Sequence, residues 1–375
     1  MSKRALRIGV DARPLQNPNT GIGRYTQQLL MRLTQATQHE WFLYSTASES
    51  LFDGSPGSVS ERRVATTSAA VSTVVSQLLF ARWARLDRLD VFWSPRHHLP
   101  LFSKAASVVT IHDLVWFKHP ETMTFARRLT ERALMPRSIR RATKIIAVSE
   151  STLEDIVSVA PSAAAKVSVI HEASVFDRSF GNRALGENVR GQEYMLNVGT
   201  LEPRKNLERS LRAYRMAAQT DPSVPHLVMV GAPGWGIEPM PAMLASLGLS
   251  DRVTYYPNCS DEELAALYRD CRFLLHAALH EGFALPLLEA MSFGKPVVTG
   301  NTSAMPEIAG NAGLCVDATA VEDIAKAICK ISSDERLYER LCAAAALRAT
   351  DFSWDKAARQ TISVLESARS NAAPS

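Results

Sequence analysis

What most constrains this chain is an alternation that runs through its first half, stops, and starts again. Short apolar runs of strand length recur between longer segments of helical periodicity. In the first half the strand runs are Leu6–Val10, Trp41–Tyr44, Val91–Trp93, Val108–Ile111, Ile145–Val148 and Val167–Ile170, with helical patterns such as Arg24–Thr34 and Thr124–Arg141 between them. A polar break, Arg178–Gln192, carries Gly181, Gly186 and Gly191. Beyond it the strand runs return at Tyr194–Val198, Leu227–Val230, Val253–Tyr256, Phe273–Leu275, Pro296–Thr299 and Gly313–Val316. Strands that alternate with helices build parallel sheets covered by those helices. Two such stretches in 375 residues, too long for one ordinary core, predict an α/β protein of two Rossmann-like domains facing each other across a cleft. The boundaries fall at 1–180 and 190–353. Helical patterns at Ala320–Ile331 and Asp334–Arg348 end the second domain, and one at about 354–370 is expected to pack back on the first. Asn371–Ser375 reads as a frayed tail.

Composition excludes several functions. Five cysteines, Cys259, Cys271, Cys315, Cys329 and Cys342, show no metal-ligand spacing and argue for a reducing compartment. Met1–Pro14 lacks the apolar stretch of a signal peptide. The longest uncharged stretch, Val64–Ala81, is too rich in Ser and Thr for a spanning helix. The expected location is therefore the cytoplasm. Charge is divided: residues 1–150 hold 21 Lys/Arg against 11 Asp/Glu, and the remainder 21 against 27. That division fits either an anionic partner for the first half or simple solvation of surface helices.

Three strand-to-helix turns carry the chemistry. The first holds Gly21 and Gly23, where backbone could approach a phosphate at a helix start. Two glycines in a loop are more often plain turn residues, and the third glycine of a nicotinamide fingerprint is missing. The second, Gly199–Leu207, places Arg204 and Lys205 together at the start of a helical pattern. Adjacent cations oppose a helix dipole there, so their placement makes sense if they neutralise an anion, and fork plus point charge suit a diphosphate. The third, His280–Met291, sets Glu281 in a loop and Glu289 about two turns into the following helix, with Gly282 freeing backbone between. A Glu pair at this spacing is by itself usually two solvated helix-face residues, but carboxylates suit sugar and ribose hydroxyls, and one can stabilise an oxocarbenium-like carbon.

Taken in order, Gly21-Ile22-Gly23-Arg24, Thr110-Ile111-His112-Asp113-Leu114, Gly199–Asn206 and the Glu281…Glu289 pair resemble the family-4 retaining glycosyltransferases of the GT-B fold. Ser260–Tyr268 and Gly294–Val298 resemble further blocks of that family. The resemblance implies that Glu281 faces the donor sugar near its anomeric carbon and that Glu289 holds the ribose. It gives Arg204 and Lys205 the diphosphate, with Thr200 standing where many members have an arginine. Gly282, Phe283, Ala284 and Leu285 would offer backbone amides to sugar and phosphate. Cys259 and Leu264 would lie near the base. His112, a type of residue that at a strand end is otherwise more often structural, would project toward the sugar and join Glu281 as a catalytic group. Arg96, His97 and His98 could line the acceptor side.

The implied reaction moves a hexose or deoxyhexose, favoured as mannose or rhamnose from a GDP-sugar, to a saccharide or polyprenyl-diphosphate-linked acceptor in polysaccharide or O-antigen assembly. No cofactor and no metal are expected, since the nucleotide-sugar is a substrate. The rival readings are an epimerase or phosphorylase on the same fold, and a silent sugar-binding scaffold. The Gly231–Gly236 loop reads as a turn beside the donor. The arginines of Thr124–Lys144, with Arg82, Arg85 and Arg88, fit an anionic membrane surface, placing the enzyme peripherally at the inner face. The apolar residues of these segments, Phe125, Leu129, Leu134, Met135 and Ile139 among the first arginines and Val71, Val74, Val75, Leu78 and Leu79 ahead of Arg82, are expected to pack on the sheet. No nucleic-acid motif is present.

Overall fold

The computed structural model describes residues 4–52, 59–66, 68–178, 180, 189 and 191–370. Gly181 and Gly186 of the polar break, and the tail Asn371–Ser375, lie outside the described residues. The chain forms two compact units. The first comprises Met1–Phe117, Phe125–Glu172 and Ser353–Ser375, and the second Lys118–Thr124 and Ala173–Phe352. The first unit therefore ends earlier than residue 180 and gives up a short segment after residue 117.

In the first unit the strands are β1 (Arg7–Asp11), β2 (Glu40–Ser45), β3 (Val59–Arg63), β4 (Val91–Ser94), β5 (Ala106–Ile111), β6 (Lys144–Ala147) and β7 (Val167–Val169). They pair in parallel in the order β3-β2-β1-β4-β5-β6-β7. β3 was not visible as a strand run because Val-Ser-Glu-Arg-Arg holds one apolar residue. It is an edge strand, where charge protects against further pairing, and its Arg62 reaches across to Asp87 at 2.6 and 2.7 Å.

Helices α1 (Gly21–Ala36), α2 (Ala69–Leu86), α3 (Val115–Lys118), α4 (Phe125–Arg141) and α5 (Glu150–Val159) connect these strands. Side-chain caps start three of them: Thr20 accepts from Gly23 N, Ser68 from Val71 N and Ser149 from Thr152 N. One face of the sheet packs Tyr44, Phe92, Val109 and Ile145 against Phe80 of α2 and Met135 and Ile139 of α4. The five apolar residues named on α2 do not all join it. Val75 and Leu79 are half-buried, whereas Val71, Val74 and Leu78 are exposed, because Ser76, Phe80 and Ala84 set the inward stripe. On α4, likewise, Met135 and Ile139 face inward and Leu134 is half-buried, but Phe125 and Leu129 are exposed.

The second sheet repeats the plan with β8 (Tyr194–Val198), β9 (His226–Val230), β10 (Val253–Tyr256), β11 (Leu274–His276), β12 (Val297–Gly300) and β13 (Gly313–Val316), all parallel, in the order β10-β9-β8-β11-β12-β13. Its helices are α6 (Leu207–Thr220), α7 (Met240–Ser246), α8 (Asp261–Asp270), α9 (Leu285–Ser292), α10 (Met305–Ala309), α11 (Val321–Ser333) and α12 (Glu335–Ala349). Leu211 and Tyr214 of α6 and Ile324 and Ile328 of α11 fill the core beside Met229 and Val298. A Ser260–Glu263 capping box starts α8. The last helix, α13 (Trp354–Ser370), belongs to the first unit, where the Trp354 ring meets Tyr25 at 6.0 Å and Asp355 pairs with Arg32.

Both sheets reverse their strand order at the centre, between β1 and β4 and between β8 and β11. In open parallel sheets, loops leaving the carboxyl ends at such a point diverge and leave a crevice for ligands.

Candidate functional site

In the second unit the loops that leave β8 and β11 bring the sequence candidates together. After β8 the chain passes Gly199, turns once through a 3-10 helix at Pro203–Lys205, and breaks at Asn206 in the left-handed region with φ 57°. α6 begins only after that break, with Glu208 in its first turn. Arg204 and Lys205 are thus not set against the dipole of α6, and the conflict expected from sequence is absent. The left-handed turn is fixed by the Asn206 amide, which donates to Ala277 O at 2.9 Å and Ala318 O at 2.6 Å. A Cβ on Gly199 would stand 3.2 Å from the Lys205 stem, so the missing side chain lets that stem lie across the turn.

The anion beside these cations is a protein carboxylate. Glu281 Oε2 accepts from Arg204 at 2.7 Å, and Oε1 from Lys205 at 2.5 Å and from His276 Nε2 at 3.0 Å. Arg204 also donates to His280 O at 2.6 Å and to Glu202 at 2.5 Å. The Glu281 amide donates to Ser303 Oγ at 2.9 Å. Burial would raise the Glu281 pKa, but the charges of Arg204 and Lys205 and the His276 bond outweigh it, holding the carboxyl well below its ordinary range. Burial, reinforced by the Lys205 charge, lowers the His276 pKa although Glu281 opposes it, so its ring is a neutral Nε2–H donor. Glu281 is therefore a fixed negative charge. It suits stabilising positive charge that develops beside it, and it cannot serve as a proton donor near neutral pH.

Glu289 lies in α9, buried, with Oε2 accepting from the Tyr268 hydroxyl of α8 at 2.7 Å. That bond brings α8, carrying half-buried Leu264 and preceded by half-buried Cys259, against the Glu289 turn. Between the two glutamates, Gly282, Phe283 and Ala284 are buried and Leu285 opens α9. Phe283 packs its ring on Phe352 at 5.9 Å, and Ala284, not Gly282, takes the left-handed conformation, φ 69°. Asn206, Ala284 and Ser303 are non-glycine residues at positive φ, and all three border this cluster. Such strain persists where surrounding bonds over-determine the backbone, and it concentrates at working sites. The Gly231–Gly236 loop packs on the same turn: a Cβ at Gly231 would fall 1.9 Å from Gly199 O, and one at Gly234 2.3 Å from Leu201 O.

Sequence reasoning missed Glu202, His276, Ser303 and Tyr268. Tyr268 stood in a recognised block without a role. His276 ends a strand five residues before Glu281, and strand-end position was its only signal. Ser303 had none.

The first unit holds the other candidates. Gly21 is exposed at the start of α1. Gly23 is buried, and a Cβ there would fall 2.1 Å from Asn17 O, so the close approach of its own loop requires this glycine. His112 is buried with both nitrogens engaged, Nδ1 with Glu172 at 2.9 Å and Nε2 with Pro95 O at 2.9 Å. Burial opposes its charge, but two acceptors and Asp113 raise its pKa, favouring the imidazolium. His98 pairs with Glu131 at 2.9 Å and His97 lies 3.5 Å from the same carboxylate. Among the described residues no group of three or more His, Cys, Asp or Glu is placed to hold a metal ion, and no helix is long and apolar enough to cross a membrane.

Comparison with known proteins places this geometry. Residues 182–348 match the family described as glycosyl transferases group 1, and residues 19–178 match glycosyltransferase family 4. The chain belongs to the family-4 glycosyltransferases, a family of retaining hexosyltransferases with the GT-B fold. It is 30% identical to O-antigen chain mannosyltransferase B of Escherichia coli, over 93% of this chain and 96% of the relative. O-antigen chain mannosyltransferase RfbU of Salmonella typhimurium is 26% identical over 64% of this chain and 65% of its own. Among solved structures, WaaG, a glycosyltransferase involved in lipopolysaccharide biosynthesis, superposes with a TM-score of 0.73 at 17% identity, covering 96% of this chain and 99% of that one. Anabaena HepE in complex with UDP and glucose gives 0.74 at 16% identity, covering 96% and 100%. At these identities the structural likeness speaks for the fold.

Proposed function

We propose that this enzyme transfers mannose, with retention of configuration, from GDP-mannose to a saccharide or lipid-linked saccharide in O-antigen or related polysaccharide assembly. The observation that carries the reading is the likeness to an O-antigen chain mannosyltransferase along nearly the whole length of both chains. The site chemistry supports it. Arg204 and Lys205 hold the diphosphate and balance its charge as it leaves. Glu281, kept ionised by those same cations, faces the sugar and stabilises charge at the anomeric carbon. Glu289 binds the ribose hydroxyls, oriented by Tyr268. Backbone of Gly282, Phe283, Ala284 and Leu285 lies against sugar and phosphate, with Cys259 and Leu264 toward the base. Gly21 and Gly23 shape the first-unit loop. His112, whose nitrogens are already engaged, acts as a positioning residue that ties β5 to Pro95 and Glu172. The leaving charge is met by these side chains, and no resident metal or cofactor is assigned.

The enzyme works peripherally at an anionic membrane surface on the cytoplasmic side. Leu78, Phe102 and Phe125 are 56%, 70% and 71% exposed, amid exposed Arg82, Arg85, Lys104 and Arg127. Apolar side chains that insert and cations that stay at the headgroups are the two components of interfacial binding.

A thermal-shift comparison of GDP, UDP, ADP and dTDP tests the donor, because a ligand of the native state raises its melting point. GDP should give the largest rise. A larger rise with another diphosphate would refute the assignment of the base.

A further inference from the structure

The crevice at the strand-order reversal of the first unit is a cavity of about 440 Å³, lined among others by Arg13, Thr20, Thr46, Ser68, Ser72 and Arg96. Its walls are the loops after β1, β2, β3 and β4 and the first turns of α1 and α2. Arg13 is committed: its guanidinium donates to both oxygens of Asp11, at 2.8 and 2.5 Å, and to Ser72 O at 3.1 Å. Arg96 is not. Among the described residues its guanidinium donates no hydrogen bond, and burial together with the neighbouring Arg13 charge disfavours its cationic form against the weaker pull of Asp11 and Glu131.

A partly buried guanidinium without an acceptor is costly, and an anion in the cavity would relieve it. The surroundings favour that anion. Thr20 and Ser68 are the caps of α1 and α2, helices of 16 and 18 residues whose positive dipole ends border the cavity. Hydroxyls complete the lining, with Thr46 and Ser72 sharing a bond of 2.9 Å. The volume is that of a small-molecule site. We infer that this cavity binds a hydroxylated ring bearing an anionic group, a phosphate or a carboxylate, and that Arg96 reads the charge. On the transferase reading above, that ring is the acceptor saccharide; binding itself does not depend on that reading.

The test is calorimetry on the full chain with mannose, mannose 6-phosphate and glucuronate, each with the nucleoside diphosphate of largest thermal shift at saturation. Mannose 6-phosphate or glucuronate should bind better than mannose, and the preference between them identifies the anion. Arg96→Gln should weaken the anionic sugar about tenfold or more, the loss of a charge-assisted bond, and leave nucleotide affinity unchanged. Lys205→Ala should do the reverse. The melting temperature of Arg96→Gln without sugar should hold or rise, since an unpaired charge is removed; a purely structural arginine would lower it. Anionic sugars that bind no better than mannose, or that bind Arg96→Gln as tightly as wild type, overturn the proposal. Undiminished nucleotide affinity in Lys205→Ala would refute the donor assignment and leave this one standing.

Discussion

Lys205 and Glu281, 76 positions apart in sequence, meet in a 2.5 Å salt bridge that joins the loop after β8 to the loop after β11. The carboxylate fixes where the ammonium stands, and the ammonium keeps the carboxylate ionised. Neither residue works alone, so each substitution carries a consequence for its partner.

For the diphosphate, Lys205→Ala and Arg204→Ala should each weaken nucleoside-diphosphate binding by roughly 1.5–3 kcal/mol, the range for charge-assisted bonds. Nucleoside binding should change little. Arg204 additionally neutralises Glu202, which is buried, so Arg204→Ala should also lower thermal stability more than Lys205→Ala does. Calorimetry and a melting curve on each variant read the two effects separately. Undiminished diphosphate affinity in both would remove the cations from the donor site.

His112 gives a pH dependence of defined sign. Its folded pKa is raised above the unfolded value, so its ion pair with Glu172 contributes fully below the ordinary imidazole range and fades as pH rises through the folded value. The stability gap between wild type and His112→Gln should therefore be widest near pH 5 and narrow toward higher pH. Denaturant titrations across that window measure it. A gap that widens with pH would mean the ring is neutral in the fold.

Membrane attachment should depend on both components of the exposed face. Replacing Arg127, Arg128, Arg140 and Arg141 with Gln, or Leu78 and Phe102 with Ser, should each reduce cosedimentation with anionic vesicles. Activity on a short soluble acceptor should stay nearly intact. Equal vesicle binding by all three proteins would contradict the peripheral assignment.

Much of this architecture was legible in the sequence because parallel strands buried on both faces are nearly continuous apolar runs. Tyr194–Val198, Val253–Tyr256 and Gly313–Val316 are found where the runs placed them. β3 escaped because an edge strand is written in charge, and the outward row of α2 was misjudged because its spacing does not say which side of the helix faces the sheet. At the site, Arg204, Lys205, Glu281 and Glu289 stood out as charges beside turns. That the first three form one ion-paired cluster could not be read, because β8 and β11 become neighbours only through the strand order. Glu202, His276, Ser303 and Tyr268 act on the cluster through bonds that cross loops, which spacing does not encode.

On the proposed mechanism one motif holds two glutamates with different work, Glu281 at the reacting carbon and Glu289 at the ribose. Binding of nucleoside diphosphate to Glu281→Gln and Glu289→Ala, set beside their steady-state kinetics, tests it most directly. Gln keeps the size and hydrogen-bonding reach of Glu281 while removing its charge. Glu289→Ala should weaken nucleotide and donor together, raising KM more than it lowers kcat, as for a contact made equally in ground and transition states. Tyr268→Phe should do the same more mildly, since it loosens one bond to Glu289. Glu281→Gln should cut kcat severely, because the interaction grows as positive charge develops at the sugar. It should also leave nucleotide binding at least as tight as in wild type, since Arg204 and Lys205 lose their internal anion. A Glu281→Gln enzyme with near-wild-type turnover would remove Glu281 from the reacting carbon.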